Sequence, residues 1–417
     1  MRVLIASEAH FQRGDDGRVR AAGPEDYPFW SSYLGGARQV SVLGRIGVMP
    51  PGATSGSIAE GEAVSFLPLD DYRGPWQYLR QYWRLRRQAQ EAFSQCDAAI
   101  LRAPGAVAYL AWHAVIRAGK PYALEVLADP REALAPGAAR SLWRPLARRW
   151  SRWRLRRLCA EAPVIHYVTR EWLQRRYPAA KAKVFSYSDV LLRAPAGEKE
   201  MHERFERIRR TSAGERPWHL GFIGSFEQLY KAPDVHLRAV RLCEVQGLNI
   251  RFSMMGEGRH RTNMEKLARR LGVAKSVQFL GQINGADQVN HFLDQLDLFL
   301  MASRSEGLPR ALIEAMARGC PAIGSSAGGI PELLAAEDLV EPGSAGQLAA
   351  KIIQVLASPA RLRTMARRNL EASQAFRPER LKPLRLRFLE ELQMLAAASS
   401  SSARSGKRVP LSAELRA

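Results

Sequence analysis

The sequence predicts an α/β protein made of two doubly wound domains with a cleft between them. Three observations predict this. The chain has 417 residues, more than one compact core needs. Short apolar runs alternate with helical patterns along most of its length, as expected for parallel strands covered by helices on both faces. The alternation breaks once, at a charged stretch bounded by Pro195 and Pro217, which divides the runs into two series.

In the first series, strands are expected over residues 3–7, 39–43, 63–67, 98–101, 122–126, 164–168 and 183–186, giving a Rossmann-like domain over 1–195. Residues 196–216 read as a linker carrying a short helix. The second series, 219–223, 249–255, 277–280, 298–301 and 322–324, gives a second Rossmann-like domain over 217–375. Residues 376–398 form one helical pattern with Leu384, Phe388, Leu392 and Leu395 on one side. That apolar side must be buried somewhere. Residues 399–417, rich in serine and arginine, read as a disordered tail.

Hydrophobic content of 46% and charged content of 25% are ordinary for a globular protein. Cys96, Cys159, Cys243 and Cys320 are scattered without metal-ligand spacing, so no metal site is expected. The N-terminus enters a strand at once and shows no signal-peptide pattern, and no run of about twenty apolar residues exists. A cytoplasmic protein is expected. The net charge of +21 is unusual. Residues 140–157 hold eight arginines, no acid, and Trp143, Trp150 and Trp153. As a helix they set Trp143, Leu146, Ala147, Trp150, Trp153 and Leu158 along one stripe. Residues 78–93 similarly mix Tyr82, Trp83 and Leu85 with Arg80, Arg84, Arg86 and Arg87. Such helices suit the headgroup layer of an anionic membrane. The opposing account puts the tryptophans in the core. Nucleic acid is not an expected partner, because no base-reading helix or aromatic strand motif accompanies the charge.

The chemistry concentrates in Ser303-Arg-Ser-Glu306-Gly307-Leu308-Pro309-Arg310-Ala-Leu-Ile-Glu314, followed by Gly319 and Pro321. A strand ends just before this string and a helix begins near Pro309, which suits a first helical position. Ligands of open parallel sheets bind where strands end and helix N-termini point. Glu306 in the loop and Glu314 in the helix could each accept from a pair of hydroxyls. This string, with Glu314-Ala315-Met316-Ala317, Gly319 and Gly328-Gly329-Ile330-Pro331-Glu332-Leu333, resembles the retaining GT-B glycosyltransferases recognised by a Glu-x7-Glu motif. The resemblance implies a GT-B fold whose C-terminal helix crosses back to the first domain. It further implies that Glu306 contacts the donor sugar, that amides of Gly307, Leu308 and Pro309 with Arg310 lie near sugar and phosphate, and that Glu314 binds the donor ribose. Retention of anomeric configuration without a metal or other cofactor is likewise an implication of the resemblance.

Two more segments extend it. In Gly224-Ser225-Phe226-Glu227-Gln228-Leu229-Tyr230-Lys231 a strand ends at glycine, and Lys231 can neutralise the diphosphate on which negative charge builds during transfer. Ser225 stands where the family often has an arginine, so another cation, Arg304 or Arg310, is expected to complete that contact. Gly256-Glu257-Gly258 resembles the segment beside the nucleotide base. In the first domain, the glycine-rich residues 11–19, with Gly14 and Gly17, resemble a loop approaching donor phosphate and acceptor. Residues 102–105 and 125–130 are expected at strand ends facing the cleft, with Asp129 as a candidate catalytic residue where relatives place a histidine. Tyr167-Val168-Thr169 and Arg175-Arg176-Tyr177-Pro178 resemble relatives encoded with bacterial exopolysaccharide and capsule machinery.

The expected function is therefore transfer of a sugar from a UDP- or GDP-sugar to a saccharide or polyprenyl-linked acceptor in surface polysaccharide biosynthesis. The expected place is the cytoplasm, peripheral on the inner face of the membrane. The alternatives are a sugar-nucleotide epimerase, which needs no acceptor, and a catalytically inactive binding relative.

Overall fold

The structure is a computed structural model that describes residues 1–404 apart from 22, 24, 52–55, 131–143, 193–194 and 284. The first domain runs β1 (Arg2–Arg13), β2 (Val19–Ala21), α1 (Tyr27–Ser31), β3 (Gln39–Val48), β4 (Ser57–Ile58), β5 (Val64–Asp70), α2 (Gly74–Ser94), β6 (Ala98–Ala103), α3 (Ala106–Arg117), β7 (Tyr122–Val126), α4 (Arg144–Glu161), β8 (Val164–Tyr167), α5 (Trp172–Arg176) and β9 (Lys183–Ser186). Its parallel strands lie in the order β5-β3-β1-β6-β7-β8-β9. Every residue of β6, β7 and β8 is buried, as befits parallel strands covered on both faces. Side chains alternate between the two layers. Val3 and Ile5 join the core on the α1 side, while Leu4 and Ala6 join the core under α2, α3 and α4.

The expected glycine-rich loop is a β-hairpin. After a register shift between Ala6 and His10, β1 continues to Arg13 and pairs antiparallel with β2, which pairs with β4. Gly14 N–H donates to Arg18 O at 2.9 Å and Gly17 N–H to Gly14 O at 3.0 Å, closing the turn on itself. Gly17 holds the positive φ this turn requires.

The second domain begins with α6 (Glu198–Ser212), within the stretch read as linker. Its Arg204 is fully buried and donates to Leu293 O at 3.0 Å, to Arg318 O at 3.1 Å and to Leu296 O. The segment is therefore docked on the domain that follows it. Then come β10 (Trp218–Ile223), α7 (Pro233–Val245), β11 (Ile250–Met255), α8 (Arg261–Leu271), β12 (Val277–Gly281), α9 (Ala286–Gln295), β13 (Leu298–Met301), α10 (Arg310–Ala317), β14 (Ala322–Ser325), β15 (Leu339–Val340), α11 (Ala345–Leu356) and α12 (Pro359–Ser373). The sheet is wholly parallel, in the order β12-β11-β10-β13-β14-β15.

The last helix, α13 (Pro378–Arg404), returns to the first domain. Phe388 and Leu392 are fully buried there, and the Phe388 ring meets His166, Phe185 and Tyr187. Leu384 and Leu395 pack against the same core. Gln393 donates to Gly36 O at 2.9 Å. The helix extends through 399–404, residues assigned to the tail, and 405–417 lie outside the described residues. Truncation after Phe376 removes this whole seam and is expected to abolish cooperative unfolding of the first domain. Truncation after Ala398 is expected to leave the thermal midpoint within about 0.5 kcal/mol equivalent of wild type, the scale of surface changes. Thermal melts of both truncations check this.

Candidate functional site

The order of the second sheet places a topological switch point between β10 and β13, where a crevice opens beyond the strand ends. The segments after those two strands carry the predicted donor residues. Beyond Ile223 come Gly224, Ser225 and a 3-10 turn over Leu229–Lys231. Beyond Met301 come Ser303 to Pro309 and then α10. The two segments meet at one contact. Lys231 Nζ lies 2.7 Å from Glu306 Oε1. Ser303 Oγ donates to the same oxygen at 2.7 Å, and Ser303 O accepts from Ser325 Oγ at 2.6 Å. Glu306 is buried.

Arg304 builds the frame of this contact. Its N–H donates to Tyr230 O at 2.7 Å, and its guanidinium grips Asp234 at 2.8 and 2.7 Å and Leu229 O at 2.9 Å. Burial acts to raise the Asp234 carboxyl, but the bonds from Arg304 outweigh it and hold the pKa below the ordinary value. Ala232, just after Lys231, takes a left-handed conformation, φ 54°, which costs a non-glycine residue energy and recurs at functional sites. Arg304 is thus spent on holding the lysine turn. Arg310 is also engaged elsewhere, with Nε 3.7 Å from Asp189 of the first domain and its guanidinium over the Phe29 ring. Both cations expected to stand in for Ser225 are thus turned to partners within the protein, and Ser225 is itself exposed.

The glycine pair 256 and 258 braces the floor. Gly224 N–H donates to Met255 O at 2.9 Å, Phe226 N–H to Glu257 O at 2.8 Å and Gly256 N–H to Gly281 O at 2.8 Å. Glu257 contributes through its backbone, because Arg261 holds its carboxylate. Helix α10 begins at Arg310 with Pro309 as its N-cap, one residue later than expected. Glu314 is half-buried within it. Burial raises its pKa, opposed by Arg310, and no described residue hydrogen-bonds its carboxylate.

The Gly328-Gly329 string lies directly beneath this loop. Gly329 N–H donates to Gly307 O at 2.7 Å, and a Cβ at Gly328 would collide with Glu306 O. Gly307 presses on Leu127 O of the first domain, also without room for a Cβ. Leu308 packs against the cores of both domains. Glu332, at the end of the string, was read only as part of a motif. Its carboxylate caps the start of α5 across the cleft, accepting from the amides of Arg170 at 2.6 Å, Glu171 at 3.1 Å and Trp172 at 2.9 Å. An anion at a helix N-terminus is electrostatically favoured.

The first domain departs from expectation. Asp129 is buried, and its carboxylate accepts from Tyr177 Oη at 2.5 Å and from Arg176 at 3.1 Å. It fastens the C-terminal end of α5, so its carboxylate is engaged there and not free in the cleft as the candidate catalytic base. Gly14 and Gly17 are occupied in their hairpin. Arg102 and Glu125 lie inside the domain, not on the cleft wall. Arg102 donates to Tyr33 Oη at 3.0 Å, Glu125 at 3.3 Å, Asp189 at 3.2 Å and Glu25 at 3.4 Å. No periodic sequence signal marks this network, since its members come from separate elements.

The arrangement can hold a diphosphate against Lys231 and hydroxyls against Glu306 and Glu314. Comparison with known proteins places the second domain among glycosyl transferases. Residues 203–372 match the family described as glycosyl transferases group 1. Protein CapJ of Staphylococcus aureus is 23% identical over 316 residues, 76% of this chain and 77% of its own. The putative colanic acid biosynthesis glycosyltransferase WcaL of Salmonella typhimurium is 31% identical over 133 residues, 30% of this chain and 32% of its own. In fold, the chain resembles Anabaena HepE, solved in complex with UDP and glucose, with a TM-score of 0.63 at 16% identity over 96% of this chain and 100% of that one.

Proposed function

We propose that this chain, whose residues 203–372 match the family described as glycosyl transferases group 1, moves a sugar from a nucleotide-sugar donor, held at the β10–β13 crevice, to a saccharide acceptor presented by the first domain. The Lys231–Glu306 contact of 2.7 Å carries this reading. It brings a cation for the leaving diphosphate and a carboxylate for sugar hydroxyls to one point. The sugar's bond to diphosphate breaks with its electrons going to the phosphate oxygen, and the acceptor oxygen bonds to the anomeric carbon as its hydroxyl proton passes to that departing phosphate oxygen. Lys231 meets the charge that develops. In this reading no metal or other cofactor takes part, and configuration is retained. UDP in the HepE complex favours a uridine donor, with a guanosine donor the other expected class. The colanic acid assignment of WcaL favours a role in surface polysaccharide assembly. The acceptor is then a saccharide on a polyprenyl diphosphate at the inner face of the cytoplasmic membrane, which suits the net charge of +21.

The test is incubation with UDP-glucose, UDP-N-acetylglucosamine and GDP-mannose, with and without a bacterial lipid-linked saccharide extract. Acceptor-dependent labelling of lipid is expected. Conversion of the sugar nucleotide to its epimer without acceptor would replace transfer by epimerisation.

Glu314 gives a sharper check. Replacing Glu314 by Gln is expected to weaken sugar-nucleotide binding by about 1.5–3 kcal/mol, the worth of hydrogen bonds to a charged group. Since burial raises the Glu314 pKa, wild-type affinity should fall as pH drops through that raised value, where the carboxylate gains a proton. Calorimetric titration against pH should show this acid limb in wild type and not in the variant.

A further inference from the structure

We propose that the outer faces of α2 and α4 form one docking surface for an anionic lipid bilayer, seated beside the mouth of the cleft. Both helices cover the same side of the first sheet and share its core with α3. α2 buries Leu85, Ala89 and Phe93, and α4 buries Leu155, Leu158 and Cys159. Their other sides are not the polar surfaces that such packing normally leaves. Trp76 is 83% exposed and Trp83 73% on α2, and Trp150 is 57% and Trp153 55% exposed on α4. Leu146, Trp150 and Trp153 of the expected stripe therefore face outward, against the account that put the tryptophans in the core, whereas Leu158 of that stripe is buried; Trp143 lies outside the described residues. Large apolar side chains displayed together mark an interaction surface.

The two helices are joined into one surface. The Arg154 guanidinium of α4 sits 3.7 Å over the Tyr109 ring of α3 and 4.4 Å over Trp150, and it lies within electrostatic reach of Tyr78 on α2. Helix α4 carries seven arginines against one glutamate, and α2 four against one. Arg80, Arg149 and Arg152 have no carboxylate partner among the described residues.

The mixture selects the occupant. The guanidiniums of Arg86, Arg154 and Arg157 lie over the rings of Trp83, Trp150 and Trp153 at 5.5, 4.4 and 5.8 Å, so among the described residues these tryptophans do not form the charge-depleted apolar centre that a protein interface buries. Tryptophan interleaved with cations fits the headgroup layer, where the ring enters the apolar boundary and the guanidinium meets lipid phosphate.

The placement bears on the reaction. α2 follows the end of β5 and α4 follows β7, so both start at the strand ends that face the cleft. Trp76, Trp83 and Trp150 lie in the first half of their helices and Trp153 just past the middle of α4. A bilayer on this surface lies beside the acceptor's entrance. That use rests on the glycosyl-transfer reading above, whereas the surface itself does not.

Flotation with phosphatidylethanolamine–phosphatidylglycerol vesicles tests the proposal. Wild type should float at low salt, release at high salt and ignore phosphatidylcholine. Its tryptophan emission should shift to the blue on binding. Changing Trp76, Trp83, Trp150 and Trp153 together to Ala should lower partitioning at least about ten-fold. A second variant, Arg80→Glu with Arg149→Glu and Arg152→Glu, should do the same. The thermal midpoint and calorimetric sugar-nucleotide affinity of both should match wild type. The proposal is overturned if wild type stays unbound at low salt, or if both variants float as wild type does. It is also overturned if light scattering shows a wild-type dimer that the tryptophan variant dissolves, since a second copy would then cover the patch. Flotation by a protein that binds no sugar nucleotide would instead sink the transfer reading and leave the surface standing.

Discussion

Replacing Arg102 by Ala is expected to destabilise the protein by about 3–5 kcal/mol, the cost of leaving buried charge without its partner. The side chain is 2% exposed and reaches three carboxylates, those of Glu25, Glu125 and Asp189. Burial pushes the Glu125 carboxyl upward, but His166, Arg102 and Arg385 together hold it below the ordinary value. Asp189 is likewise depressed against its burial, by Arg310, then Arg102 and other cations. A depressed folded-state pKa gives stability that is present above the unfolded pKa and lost as pH falls through the folded one. Wild type should therefore lose this contribution only in acid. In the variant the sign reverses: carboxylates without Arg102 prefer to be protonated, so its deficit should be largest near neutral pH and shrink as pH falls. Urea midpoints across pH for wild type, Arg102→Ala and Arg102→Lys check this. Lys keeps the charge without the forked geometry, so an intermediate loss is expected. A midpoint unchanged in Arg102→Ala at neutral pH would mean the network contributes no net stability.

What the sequence disclosed follows physical lines. Buried parallel strands are continuous apolar runs, so β6, β7 and β8 were visible, as was the helix that carries Phe388 and Leu392. The donor crevice was visible because its parts are local: a strand end, a glycine and a helix start lie within a few residues of each other. The Arg102 network was not visible, since its partners lie 23 to 87 residues away along the chain and only the folded sheet brings them together. α4 was legible as a helix but not in its orientation. Its 3.6-residue repeat supports both a tryptophan stripe and the stripe of Leu155, Leu158 and Cys159, and periodicity alone cannot say which faces the sheet. Asp129 stood at the right place in the chain, and the fold then closed Tyr177 over it. The hairpin of β1 and β2 was missed because glycines at 14 and 17 signal a turn without saying what the turn connects.

Replacing Lys231 by Ala is expected to lower the turnover of sugar transfer by about two orders of magnitude, the scale of removing one preorganised contact to transition-state charge, or about 2.7 kcal/mol of barrier. The effect should fall on kcat more than on donor affinity. The diphosphate is already charged when bound, but the additional charge appears only as the sugar's bond to it breaks. The fold supports this division of labour. Arg304 clamps Asp234, Leu229 O and Tyr230 O, so the backbone of the lysine turn is held before any substrate arrives, and only the Lys231 side chain has to turn to meet the developing oxyanion. Before substrate binds, Glu306 is its counter-ion at 2.7 Å; a sugar hydroxyl donating to Glu306 would share that carboxylate and turn the ammonium toward phosphate. Lys231→Arg should recover part of the rate, because charge survives with altered reach. A purely structural role predicts a different pattern: a lowered thermal midpoint, donor affinity and turnover falling together, and no rescue by Arg. Single-turnover rates with saturating sugar nucleotide, set beside calorimetric donor affinities for wild type, Lys231→Ala and Lys231→Arg, separate the two. Wild-type turnover in Lys231→Ala would show that the leaving diphosphate is met by another cation.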